Sequence, residues 1–334
     1  MKKILLTLLT LVILAQGFIF AQGSTESEQQ DADGEYTMVT IPKLKAAWFI
    51  PYDEDSQKAG EDFGVEVYMQ APAAADEAQQ VRLIEDSINQ GVNALLVVPN
   101  DANSCIPSFK KAREKGIVVL THESPDQPEA DYDIEMIDNI KFGERMMDEL
   151  AARCGEEGEY AVYVGSLTVP AHNIWADAAV ARQKAKYPNM KMVDTKFPVS
   201  EDRNASRQKT LELLTVHPNL VGILAFGSQG GPGAGQALRE KGLNDNVSVI
   251  GTTSPKEAAT FLEDGAMDLC VLWSSGDASY AMVYIAKMIL DGREDEIKTG
   301  MEIPGIGSPV VDGMNILFNN PLIVDASNAS EYSF

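Results

Sequence analysis

Glu123 stands at the abrupt end of an apolar run, Ile117–Leu120, where the chain turns polar through Thr121, His122, Glu123 and Ser124. A carboxylate at such an edge can accept hydrogen bonds from ligand hydroxyls or pair with a cation. The polar edge after the first apolar run supplies a cation in Lys43, followed closely by Trp48 and Phe49. Trp48, Trp175 and Trp273 all fall at strand-to-helix junctions and not inside apolar runs. Carbohydrates present flat C–H faces that pack on aromatic rings, while their hydroxyls need paired donors and acceptors. Trp walls with Lys43, Glu123, His172 and Asn173 as polar pins therefore suit a small polyol. A wrong ligand would leave buried polar groups unpaired, and that cost would set specificity.

Other chemistry finds little support. His122, His172 and His217 form no HxxxH or HExxH array, so no metal site is expected. No GxSxG elbow occurs, and no cysteine accompanies a histidine motif, so nothing requires an enzyme. The glycine-rich stretch Gly227–Gly235 (GSQGGPGAG) is neither GxGxxG nor GxxxxGK[ST], and Pro232 removes an amide donor. It is expected to be a tight turn that lets backbone approach a ligand, with no cofactor bound.

The elements that must position these residues alternate without a break. Ala94–Val98 and Ile117–Leu120 read as strands buried on both faces, joined by a helix over Ser104–Lys115 that stops at Gly116. Such a unit is parallel βαβ, and ligands of open parallel sheets sit beyond the carboxyl ends of the strands. The same alternation runs from Met38–Ile41 to Ala278–Asp291, implying two doubly wound parallel sheets. The runs VVLTHESP (118–125) and VSVIGTTSP (247–255), the latter containing Thr253, echo one another as expected of two similar lobes. The tail from Ile297 reads as irregular strands over the surface.

Lys2 and Lys3 before the apolar run Ile4–Leu14 read as an export signal over 1–21. The polar, acidic stretch 22–37 reads as a disordered leader. A formal net charge of −23 repels phosphate backbones and anionic membranes, which argues against nucleic-acid binding. Cys105, Cys154 and Cys270 allow at most one disulfide, or three free thiols.

Several ordered pieces of this chain resemble the type I periplasmic sugar-binding proteins of ABC importers, nearest the branch that binds autoinducer-2 and rhamnose. They are TIPKL (40–44), INQGVNALLVVPND (88–101), VVLTHES (118–124), His172-Asn173-Ile174-Trp175, VIGTTSP (249–255), VLW (271–273) and the terminal Glu331–Phe334. The resemblance implies two Rossmann-like lobes, 38–138 plus 274–308 and 139–273 plus 309–334, with crossings near Asp138, Trp273 and Gly305–Pro309. It implies a monomeric periplasmic protein that closes on a monosaccharide-like ligand and docks on a membrane permease. A receptor presenting a sugar or autoinducer-2-type signal to a membrane sensor, and an exported enzyme, are the rival readings. Lys43, Glu123 and Trp273 match pocket positions of the branch. The branch carries Asp and Gln where this chain has Ala171 and His172, and Pro and Ala where it has Phe226 and Ser228. A carboxylate is thus expected to be lost and a large ring gained, which points away from autoinducer-2 and toward a deoxy sugar whose methyl meets Phe226.

Overall fold

The computed structural model describes residues 36–332 and 334. The expected export signal and the leader up to residue 35 lie outside them. The first half of the chain alternates β1 (Thr37–Ile41), α1 (Ile50–Phe63), β2 (Glu66–Met69), α2 (Glu77–Gln90), β3 (Ala94–Val97), α3 (Ala102–Glu114), β4 (Val118–His122) and β5 (Tyr132–Glu135). Every residue of β3 and β4 is buried, as parallel strands covered by helices on both faces require. Asp76 and Asp101 cap α2 and α3 by accepting from the amides of Gln79 and Ser104, at 2.8 and 2.7 Å. Because β1 already begins at Thr37, the leader ends earlier than residue 37.

The second half runs through α4 (Asn139–Cys154), β6 (Gly158–Val164), α5 (Pro170–Lys186), β7 (Met190–Met192), β8 (Phe197–Pro198), α6 (Arg203–Val216), β9 (Leu220–Phe226), α7 (Gly230–Lys241), β10 (Ser248–Gly251), α8 (Pro255–Glu263) and β11 (Leu269–Leu272). Helix α9 (Ser275–Leu290) then returns to pack on α1, where the Tyr52 hydroxyl lies 3.1 Å from Met282 Sδ. Strands β12 (Val310–Asp312), β13 (Asn315–Leu317) and β14 (Leu322–Val324) complete the chain.

Two sheets result, ordered β2-β1-β3-β4-β5-β13-β12 and β7-β6-β9-β10-β11-β14, with β8 also pairing β6. The last strands are antiparallel, β12 to β13 and β14 to β11, while the interior pairings are parallel. The echoing runs occupy equivalent places: β4 and β10 are each the fourth strand counted from β2 and from β7.

The chain passes between the sheets after Glu135, after Leu272 and after Leu317. The third passage corrects the expected crossing at Gly305–Pro309. β13 pairs with β5 in register Asn315↔Asp133 to Leu317↔Glu135, which keeps the tail on the first sheet until Leu317. Residues 309–317 therefore belong to the first lobe, and the tail extends both sheets instead of lying irregularly over them. Gly305 falls within a small loop closed by the bridge between Ile303 and Gly307.

Candidate ligand-binding site

The carboxyl ends of both sheets face one cavity. Lys43, Trp48 and Phe49 follow β1, and Glu123 follows β4. From the second lobe come His172 and Trp175 in the opening turns of α5, Glu201 after β8, Gly227 and Ser228 after β9, and Thr252 after β10. Trp273 lies in the second passage between the lobes.

Lys43 joins the two halves. Its Nζ donates to Glu123 Oε2 at 2.6 Å, lies 3.4 Å from Glu201 Oε1 and stands 2.8 Å from His172 Nε2. None of these four side chains is more than 5% exposed. Burial opposes the Lys43 charge, but Glu123 and Glu201 outweigh it and hold the ammonium above its usual pKa. Burial raises the Glu201 carboxyl, and Lys43 offsets this only in part. Burial, then the Lys43 charge, push His172 well below the usual histidine range. The backbone adds a further link, from Ala171 N–H to Glu123 C=O at 3.3 Å. Glu123 itself adopts φ 59°, a left-handed conformation uncommon for a residue with a side chain.

An aromatic wall backs the polar cluster. Trp273 meets Trp48 and Trp175 edge to face, with ring centroids 5.2 and 5.3 Å apart, and His172 stacks on Trp175 at 5.2 Å. The Trp175 indole donates to Asn139 Oδ1 and the Trp273 indole to His122 Nε2. His122 Nδ1 faces the Ile134 carbonyl at 2.6 Å, so this histidine orients Trp273 and leaves the cavity to others. The cavity is about 10 Å³, room for roughly one water molecule.

Four expected site residues lie off this cavity. Ser124 is turned inward, its hydroxyl donating to Gln127 and its amide to Asp133. Asn173 donates to the carbonyls of Ser166 and Val169 at the start of α5. Phe226 packs behind Trp175, its centroid 6.4 Å away, so a ligand methyl would not meet it directly. Thr253 is buried with its hydroxyl unpartnered, and its neighbour Thr252 takes the lining position. One residue passed over was Glu201. It restores a carboxylate to the second lobe from a different loop, which corrects the expectation of a lost one. Its strand, β8, is only two residues long and carries no apolar run, so the edge it follows left no pattern.

The glycine-rich stretch is also not the tight turn expected. Only Gly227 lies in a turn, and Gly230 onward opens α7. A Cβ at Gly233 would approach the Arg203 carbonyl to 2.5 Å and one at Gly235 would approach Phe261 to 2.9 Å, so these glycines serve helix packing. Cys105, Cys154 and Cys270 are all unpaired, and burial pushes the Cys105 and Cys270 thiols up to about 12. Among the described residues, no cluster of His, Cys, Asp and Glu could hold a metal ion, and no helix is long and apolar enough to cross a membrane.

Two parallel α/β lobes linked three times, with polar groups converging from the carboxyl ends of both sheets, define the type I binding-protein architecture. Residues 37–294 match the periplasmic binding protein domain family, and the chain belongs to it. It is similar to the ribose import binding protein of Bacillus subtilis, 24% identical over 238 residues, which span 71% of this chain and 76% of the relative. It is also similar to the D-xylose-binding periplasmic protein of Haemophilus influenzae, 24% identical over 81% of this chain and 80% of that one. Among solved structures, LsrB of Clostridium saccharobutylicum in complex with AI-2 superposes with TM-score 0.81 at 25% identity, over 89% of this chain and 100% of that chain. An ABC transporter solute-binding protein of Clostridium phytofermentas with bound L-rhamnose has the same fold, with TM-score 0.83 at 21% identity, over 90% of this chain and 98% of that chain.

Proposed function

We propose that this protein is an exported, monomeric solute-binding protein. It captures a small carbohydrate-like molecule between its lobes and delivers it to the permease of an ABC importer, without turning it over. The observation that carries this reading is the meeting of Lys43 and Glu123 from one lobe with His172 and Glu201 from the other, against three tryptophans. Such a cluster offers hydroxyl groups both donors and acceptors, and rings for the C–H faces. A space of about 10 Å³ is far too small for a monosaccharide, so entry requires the lobes to part and close again by hinge motion. The likeness to ribose- and xylose-binding relatives supports a sugar as the ligand class.

Thermal unfolding of the mature protein against ribose, xylose, other pentoses, hexoses, 6-deoxyhexoses such as L-rhamnose, and autoinducer-2 tests the reading. A ligand present at 100 times its Kd should stabilise by about 2.7 kcal/mol, raising Tm by several degrees. Calorimetry should then give a single site per chain, abolished by Lys43→Met. Absence of any shift at millimolar concentrations sinks the proposal, and turnover of a screened compound replaces it with an enzyme.

A further inference from the structure

Donor and acceptor accounting in the cavity leaves one conflict. The Gly165 amide donates to His172 Nδ1 at 3.1 Å, so the ring proton of the neutral imidazole sits on Nε2. That N–H points at Lys43 Nζ, 2.8 Å away, which has only protons to offer. Two donors face one another with no acceptor between them. The carboxylate oxygens nearest to Nε2, Glu123 Oε2 and Glu201 Oε1, are both 3.7 Å away and beyond a useful hydrogen bond. Glu201 is also underused. Its Oε1 lies 3.4 Å from Lys43, long for a charge-assisted bond, and Oε2 accepts only a 3.2 Å bond from Ser228.

We propose that one ligand hydroxyl docks among Lys43, His172 and Glu201, which makes Glu201 the specificity-determining acceptor of the second lobe. The proposal rests on the sugar-binding reading above and goes further by naming the chemistry one position must have. The oxygen of that hydroxyl accepts from Lys43 Nζ and His172 Nε2, which resolves the facing donors, and its proton goes to Glu201. A carbonyl or ether oxygen can satisfy the two donors but offers Glu201 nothing. An ammonium group can serve Glu201 but adds a third set of protons beside Lys43 and His172. Of these ligand groups, only a hydroxyl satisfies all three. The site therefore discriminates against deoxy, O-methyl and amino replacements at one carbon of the ligand, and tolerates them better elsewhere.

The experiment titrates mature wild type, Glu201→Ala and Glu201→Gln with the tightest sugar of the panel and with its monodeoxy and mono-O-methyl analogues. One analogue should bind wild type on the order of tenfold to a hundredfold more weakly than the parent sugar. Glu201→Ala should weaken the parent by a similar factor and nearly erase the gap between the parent and that analogue alone. Glu201→Gln, whose amide oxygen can still accept, should recover part of the loss. If Glu201→Ala binds the parent as tightly as wild type, or keeps every analogue gap unchanged, Glu201 has no such role while the sugar-binding reading stands. If no sugar binds wild type, both are overturned together.

Discussion

The two lobes each contribute two ionisable side chains to the cavity, Lys43 and Glu123 against His172 and Glu201, but hold them in different ways. In the first lobe a buried amide does the holding. Gln80 on α2 donates to the carbonyls of Pro42 and Val98 at 3.2 and 2.8 Å and accepts from the Asn100 amide at 2.8 Å. Asn100 in turn donates to the Lys43 carbonyl at 2.7 Å. In the second lobe close backbone approach does it. The backbone N–H of Ser200, beside Glu201, donates to the Val164 carbonyl at 2.8 Å and its carbonyl accepts from the Gln229 N–H at 2.9 Å, with no room left for side chains at Gly227 and Gly230. A hydrogen-bonded hub fails by leaving buried groups unpaired, whereas a steric fit fails by overpacking. The two halves should therefore break differently.

The largest effect is expected at the hub. Gln80→Leu keeps the bulk of the side chain but strands two carbonyls and one amide away from water. Unsatisfied buried polar groups cost about 1–3 kcal/mol each, and relaxation recovers some of this, so a loss of about 3 kcal/mol is expected. Urea unfolding measures it. An unchanged midpoint would mean that the hydrogen-bonded hub does not hold the first half, and the contrast between the lobes would fall.

The contrast also decides what could be read from the chain. Lys43 and Glu123 follow β1 and β4, strands whose apolar runs stop sharply, so their position at a sheet edge was visible in the pattern. His172 was visible through its neighbours Asn173 and Trp175, although Asn173 turned out to serve the start of α5. Glu201 follows the two-residue β8, paired only at Tyr163↔Phe197 and Val164↔Pro198, and so short an edge has no periodicity to detect. The third passage escaped for a related reason. Glycines at 305 and 307 resemble a boundary, while the pairing of β13 with β5 that places the real one is a long-range contact. Side-chain direction was hidden too: Phe226 and Thr253 stand at the right strand ends but face away from the cavity.

A smaller effect is expected at Gly230, and it sharpens the comparison. A Cβ there would fall well inside contact distance of Ser200 Oγ and 2.9 Å from Ala225 Cβ. Gly230→Ala should cost about 1–3 kcal/mol by overpacking. It should also weaken ligand binding several-fold, because the Ser200 hydroxyl can rotate away but Ser200 Cβ, 3.1 Å from the new methyl, is fixed to the backbone that carries Glu201. Gly60→Ala in the first lobe is the control. Its Cβ would meet the Val65 carbonyl at 2.7 Å, so it should destabilise as well, but at a site remote from Lys43 and Glu123 it should leave affinity unchanged. Equal effects of the two variants on affinity would show that general destabilisation, and not the placing of Glu201, is responsible.

The smallest effect is on pH dependence, and it belongs to the second lobe. His172 has its pKa depressed in the closed site, by burial and then by Lys43. Its contribution to closure is present above the ordinary histidine pKa of about 6.5 and is lost as pH falls below it, because the open form takes up a proton that the closed form must shed. Glu201 has the opposite sign. Burial raises its pKa, so its contribution is present at low pH and lost as pH rises through the raised value. The His172 term makes affinity fall as pH drops below about 6.5, and the Glu201 term opposes that fall as pH drops toward the ordinary carboxyl range. His172→Gln should remove the fall, and Glu201→Gln, by removing the opposing term, should deepen it. Calorimetric Kd is the right readout, because Asp133 and Glu135, buried in the first lobe with pKa values also raised by burial, add their own pH dependence to melting temperature. A pH profile of affinity unchanged in both variants would move the titrating groups out of the second lobe's half and leave the two halves electrostatically alike.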